Sequence, residues 1–158
     1  MISSRARTEA TTRYLCIDLG DARTGLAAGD SITRIASPLK VLEVPSSADG
    51  GGALLEAIAR EVESMFGDGA GDLVVGLPLN MDDTEGPRAK GVRAFAQRIA
   101  SRTGRTIHFQ DERLSTASAD WTMARSGLTR GQKKAKRDAL AAAAILRDFL
   151  GGSSGAQG

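Results

Sequence analysis

YLCIDLG, residues 14–20, is an apolar run broken by one acid and closed by a glycine. The run is too short for a helix, and runs of this kind suit a strand buried on both faces of a sheet. With strand alternation Tyr14, Cys16 and Asp18 share one face while Leu15, Ile17 and Leu19 share the other, so Asp18 emerges near the strand's carboxyl end. Ligand sites of open α/β sheets favour that edge. An aspartate in DLGD also suits a plain turn-making role.

Working outward, TGLAAGD (24–30) and ITRIASPLKVLEV (32–44) continue the first run as two further strands, an antiparallel meander with Gly20 and Gly29 among the turn residues. Leu54, Leu55, Ile58, Val62, Met65 and Phe66 recur at helical spacing and Gly67 follows as a stop. DLVVGLP (72–78) reads as a core strand. Val92, Phe95, Ala96, Ile99 and Ala100 mark a second helix stopped by Gly104, and TIHFQDE (106–112) is a further strand. Ser115 or Thr116 caps a helix through Trp121 to Gly127, and a last helix runs from Gln132 to Leu150 before Gly151. The order β-β-β-α-β-α-β-α-α predicts a mixed five-stranded sheet, three antiparallel strands and then parallel ones, flanked by helices. One domain over residues 14–150 is expected, with flexible segments at 1–13 and 151–158.

The chain has 158 residues, 41% hydrophobic and 25% charged, an ordinary composition for a globular protein. No apolar run reaches the roughly 18 residues of a membrane span, and the polar N-terminus does not read as a secretory signal, so a cytoplasmic location is expected. Cys16 is the only cysteine, which excludes an intrachain disulfide or a cysteine-built zinc site, and its apolar neighbours place it in the core. The net charge of +2 divides unevenly: −7 over residues 1–85, +10 over 86–137 and −1 over 138–158. So basic a middle segment suggests a polyanionic partner. Arg88, Lys90, Arg93, Arg98, Arg102 and Arg105 equally suit a solvated helix face.

Asp138 heads a helical stripe, since Ala142, Ile145, Leu146 and Phe149 follow at i+4, i+7, i+8 and i+11. A carboxylate there needs a cation, a donor or a metal, although the helix dipole alone also favours an acid in a first turn. Asp111 and Glu112 end the strand TIHFQDE, and either can approach Asp18 if the two strands are neighbours. Three carboxylates on one sheet edge form the oxygen-rich set that Mg²⁺ or Mn²⁺ prefers, and such a site can hold two ions about 4 Å apart. The loop NMDDTEGPRAK (80–90) borders the same edge, with Asn80 offering an amide and Asp82, Asp83 and Glu85 reading as helix-start residues. RSGLTRGQKKAKR (125–137) carries basic residues and no acid, and leads directly into Asp138. His108, in mid-strand, reads as structural or exposed.

IDLGDARTGLAAGD (17–30), VVGLPLNMDDTEGP (74–87), DERLSTASA (111–119) and KKAKRDALAAAAILRDFL (133–150) together resemble the YqgF/RuvX family of Holliday-junction-resolvase-like proteins, described also as candidate pre-16S rRNA nucleases. The resemblance implies an RNase H-like fold and a divalent-metal endonuclease that processes the 5′ end of pre-16S rRNA. It implies Asp18, Glu112 and Asp138 as catalytic metal ligands for Mg²⁺ or Mn²⁺. Substrate contacts are expected from Arg23, Asn80, Arg113, Arg130, Lys133, Lys134 and Lys136. Two positions depart from the pattern: Asp83, where the family more often has glycine, and Thr24, where an aliphatic residue is usual.

The expected partner is nucleic acid, with no membrane, and the chain is expected as a monomer or weak homodimer. Resolution of branched DNA by the same chemistry would need two active sites and so a dimer. A non-catalytic RNA or transcription-factor binding module is the third class. The first hairpin also resembles that of actin-like ATPases, whose duplicated domain has little room in a chain of this length.

Overall fold

The structure, a computed structural model, describes residues 12–113 and 130–156, with side chains of the last helix described over residues 136–152. Its elements run β1 (Arg13–Asp18), β2 (Thr24–Asp30), β3 (Ala36–Leu42), a 3-10 turn (Ala48–Gly51), α1 (Gly52–Phe66), β4 (Asp72–Leu77), α2 (Pro87–Thr103), β5 (Ile107–Asp111) and α3 (Arg130–Ala156). The strands form one sheet in the order β3-β2-β1-β4-β5. β1–β2 and β2–β3 are antiparallel, and β1–β4 and β4–β5 parallel, as the meander and the helical crossovers predict. Pro38 lies on the edge strand β3, where its missing N–H interrupts no ladder; the pairing with β2 shifts register between Leu26 and Ala27, beside its partner.

Strand alternation sorts the core into two layers. Leu15, Ile17, Leu26, Leu73 and Val75 face α1 and α2, meeting Leu54, Ile58, Val62, Val92 and Ile99. Cys16, Ala27 and Val74 face α3, meeting Ala142, Ile145, Leu146 and Leu150. Asp18 shares the parity of Cys16, so it comes out at the carboxyl end of β1 beneath α3. Cys16 is fully buried, as expected.

α2 starts at Pro87, whose fixed φ suits a first helical position, and stops at Gly104, whose φ of 73° is left-handed and whose N–H donates to the Ala100 carbonyl. α3 does not stop at Gly151 as the sequence suggests but continues to Ala156. A glycine costs a helix only about 1 kcal/mol, and the turns just before it are anchored by buried Leu146 and Leu150. The helix expected after Ser115 or Thr116 lies outside the described residues. Among the described residues, no helix is long and apolar enough to cross a membrane.

Candidate active site

Asp18 ends β1 opposite Gly25 of β2. Glu112 follows β5, and its N–H donates to the Leu77 carbonyl at 3.2 Å, extending the β4–β5 pairing by one step. Between the two acids lies Gly76 of β4. A Cβ on Gly76 would stand 3.0 Å from Glu112 Oε1 and 2.8 Å from Ile145 Cδ1, so the missing side chain is what lets Glu112 lie across β4 toward Asp18. Burial pushes the Asp18 carboxyl up to about 8, helped by the charge of Glu112, a hydrogen bond to it and the charge of Asp138. The two carboxyl groups share a hydrogen bond, which raises Asp18 and lowers Glu112. Glu112 is itself raised, chiefly by burial, with that hydrogen bond and the Arg88 charge pulling the other way.

Asp138 lies eight residues into α3, which starts at Arg130, and not in a first turn as the sequence allows; Arg23 Nε donates to its Oδ2 at 2.8 Å. Arg23, expected to contact substrate, thus holds an acid of the site. The structure therefore brings Asp18 and Glu112 into contact and sets Asp138 near them on an ion pair. Among the described residues, no three acidic, histidine or cysteine side chains are grouped closely enough to form a metal cage. The donor set still suits a divalent cation: hard carboxylate oxygens, two of them buried together at a proton's expense.

Arg88, one basic residue among several on α2, is the site residue that sequence reasoning missed. Its charge acts on both Asp18 and Glu112, and its guanidinium reaches Asp21 Oδ1 and the Leu19 carbonyl, both at 3.4 Å. Its place at the start of α2, directly behind the loop after β4, is the only signal the sequence carries.

Asp111 faces a different partner from Glu112. Arg113 forks onto it through Nε at 3.0 Å and Nη2 at 2.6 Å, and holds its carboxyl below the usual range. The same guanidinium donates to the Asn80 carbonyl and to Asp83 Oδ1, each at 2.7 Å. The Asn80 amide donates to Thr84 Oγ1 at 3.0 Å. Arg113 and Asn80, expected to contact substrate, are thus engaged within the protein, where they pin the loop of residues 80–86 to the end of β5. Asp82 accepts from the Thr84 N–H and hydroxyl, and Glu85 accepts a fork from Arg93. None of the three loop acids occupies the first turn of α2, which Gly86 and Pro87 begin.

Much of the basic charge on α2 is likewise engaged internally. Arg102 forks onto Glu56, Arg98 donates to the Gly50 carbonyl, and Arg105 donates to the carbonyls of Gly67, Gly69 and Gly71. Arg98 and Arg102 thus lie on an exposed helix face, as one reading of this stretch has it, whereas Arg105 lies past the end of α2 and is half-buried. His108 bonds Asp72 at 2.9 Å in a cluster with Tyr14 and Phe149, a structural role toward the opposite end of the parallel strands. Lys136 is exposed, six residues into α3. The side chains of Arg130, Lys133 and Lys134 lie outside the described residues.

The sequence profile of RuvX, described as Holliday junction resolvase, matches residues 12–152. The chain belongs to the RuvX family. Relatives carry the name "Putative pre-16S rRNA nuclease": one from Anaeromyxobacter sp. (strain Fw109-5) is 42% identical over 140 residues, covering 89% of this chain and 97% of its own. Another, from Methylocella silvestris, is 34% identical over 145 residues, covering 92% and 86%. In fold the chain matches Thermus thermophilus RuvC in complex with a Holliday junction substrate, with a TM-score of 0.54 at 18% identity and coverage of 91% and 96%. A further Thermus thermophilus RuvC structure matches with a TM-score of 0.50 at 16% identity, covering 91% and 97%. The fold is RNase H-like, as the resemblance implies.

The two departures from the RuvX pattern acquire physical content. Asp83 has a φ of 71°, a left-handed conformation that favours glycine, and its contact with Arg113 offsets the strain. Thr24 is fully buried, and its hydroxyl has no hydrogen-bond partner among the described residues.

Proposed function

We propose that this RuvX chain is a divalent-metal-dependent endonuclease that hydrolyses phosphodiester bonds at the 5′ end of pre-16S rRNA in the cytoplasm. The half-buried Asp18–Glu112 carboxyl pair carries this reading, since two acids held together at a sheet edge are poised to exchange a proton for a cation. In this reading Asp18, Glu112 and Asp138 hold Mg²⁺ or Mn²⁺. A bound ion of this kind activates water and stabilises the leaving oxygen of a phosphodiester.

The chain's own residues set the stage. Arg23 fixes the orientation of the Asp138 carboxylate, and Arg88 supplies positive charge beside the pair, where a scissile phosphate would enter. Arg113 and Asn80 hold the loop that borders the cleft. Arg130, Lys133, Lys134 and Lys136 precede Asp138 in sequence and would contact the phosphates flanking the cut, adding affinity without base specificity. The Holliday junction resolvase description of the family supports a second reading, cleavage of branched DNA by a dimer.

The test is cleavage of an end-labelled pre-16S 5′ leader and of a synthetic four-way DNA junction with Mg²⁺, Mn²⁺ or EDTA, comparing wild type with Asp18→Asn and Asp138→Asn. Metal-dependent cutting of the RNA, lost in both variants, is the expected result. Cutting of the junction alone moves the resolvase reading forward. Binding without cutting of either, unchanged in both variants, leaves a non-catalytic binding module.

A further inference from the structure

Beside the carboxyl pair the protein carries a cavity of about 310 Å³, between the loop that follows Asp18 and the helices α1 and α2. Leu19, Leu54, Val92 and Phe95 supply its apolar walls, and Arg88 with its ion-pair partner Asp21 the charged part of its rim. Its volume is that of a small-ligand pocket, and the mix of apolar wall and few polar groups is of the same kind. Arg88 ties it to the site, since the charge that acts on Asp18 and Glu112 also lines the cavity. The Arg88 side chain is 53% exposed, and its two contacts are long, so its donors remain accessible to an anion.

Gly91 is the second, independent observation. It lies inside α2 and lines the cavity, yet a Cβ built on it meets nothing within 4 Å. No packing contact requires glycine there, although glycine disfavours a helix interior by about 1 kcal/mol relative to alanine. It leaves this stretch of the cavity lining without a side chain.

We infer that this cavity receives an unpaired nucleobase of the substrate strand, stacked on Phe95, while Arg88 at the rim meets the adjoining phosphate. The inference rests on the nuclease reading for its choice of ligand. Apolar walls with one aromatic ring suit the face of any base, and a single cation on the side of the acids suits the negatively charged backbone that must pass them. One extruded nucleotide would then set the register of the strand over the carboxylates.

The experiment uses the full chain and fluorescence anisotropy, so it needs no cleavage. The probes are a labelled single-stranded oligouridylate and an abasic ribose-phosphate chain of equal length and charge. Wild type is expected to bind the base-bearing chain on the order of tenfold more tightly than the abasic one. Gly91→Leu, which puts bulk on the cavity lining at a position where a Cβ meets nothing and which favours the helix, closes most of that gap and leaves abasic binding and the thermal midpoint intact. Phe95→Leu, which keeps the wall apolar but removes the ring, acts in the same direction. A gap that persists in Gly91→Leu, or no gap in wild type, overturns the inference and leaves the cavity to another occupant such as a side chain of a protein partner. A wild type that cuts no RNA yet shows a gap that Gly91→Leu closes sinks the nuclease reading and leaves the base pocket standing.

Discussion

Gly25 of β2 sits against the main chain of Asp138, so closely that a Cβ on it would run into the Asp138 carbonyl and stand 2.9 Å from the Ala139 nitrogen. Gly25 is also the cross-strand partner of Asp18. One missing side chain therefore lets the Asp138 turn of α3 come over the end of β1. Gly25→Ala must push α3 off the sheet at that point. Overpacking of this kind costs about 1–3 kcal/mol, to be read from the denaturant midpoint. Cleavage is expected to fall at least 100-fold, because an acid displaced by about 1 Å no longer faces the other two. A variant as active as wild type would remove Asp138 from the site.

The carboxyl pair makes stability depend on pH. Asp18 in the folded chain sits at about 8, against 3.8 for an unperturbed aspartate, so between these values the folded protein holds a proton that the unfolded chain has released. Its contribution is complete below about pH 4 and is lost as pH rises toward 8. In EDTA, wild type should therefore lose more thermal stability between pH 5 and pH 8 than Asp18→Asn, which does not titrate. Adding Mn²⁺ at pH 8 should restore wild type and leave the variant largely unmoved. Parallel curves for the two proteins in EDTA would show that the two acids do not share a proton.

Thr24 carries a buried hydroxyl with no partner among the described residues. Thr24→Val replaces it with a methyl group of nearly the same size and removes the desolvation cost of an unpaired polar atom. The variant is expected to gain about 1 kcal/mol, a rise in Tm of about 2–4 °C for a domain of this length. A loss of stability would mean that the hydroxyl is hydrogen-bonded after all, through water or through the segment between residues 113 and 130.

How much of this was legible in the sequence follows from the range of each cause. The five strands and the helices α1 and α2 are written in local patterns: apolar runs closed by glycine, i/i+4 stripes, Pro87 at a start and Gly104 at a stop. Alternation along YLCID also put Asp18 on the face that α3 covers, and the Ala142–Ile145–Leu146 stripe put Asp138 above it. Other features are set by contacts between distant segments. Gly25 and Gly76 look like ordinary strand glycines until α3 and Glu112 are placed beside them. Residue identity cannot separate Asp111 from Glu112, because the difference lies in which neighbour each reaches, Arg113 or Asp18. Arg88 is one arginine among many on α2 until its charge is seen to face both acids. The end of α3 was misjudged for a similar reason, since tertiary packing of its last apolar turns outweighs the modest cost of two glycines.

The ion pairs on α2 predict which basic residues grip nucleic acid. Arg102 is committed to Glu56 by a two-bond fork and Arg93 to Glu85 by another, so a polyanion would have to displace a partner already in place. Lys136 is exposed on α3, two residues before Asp138 and on the approach to the acids. Lys136→Ala should reduce the slope of log affinity against log salt by about 0.7 for a single-stranded contact, the amount expected for one phosphate released. Arg102→Gln and Arg93→Gln should leave that slope unchanged, because each removes only an exposed, solvent-screened ion pair. Titrations of a labelled RNA at several salt concentrations would check all three variants together. The opposite pattern, a slope lowered by the α2 variants and unaltered by Lys136→Ala, would move the nucleic-acid path from α3 to the outer face of α2.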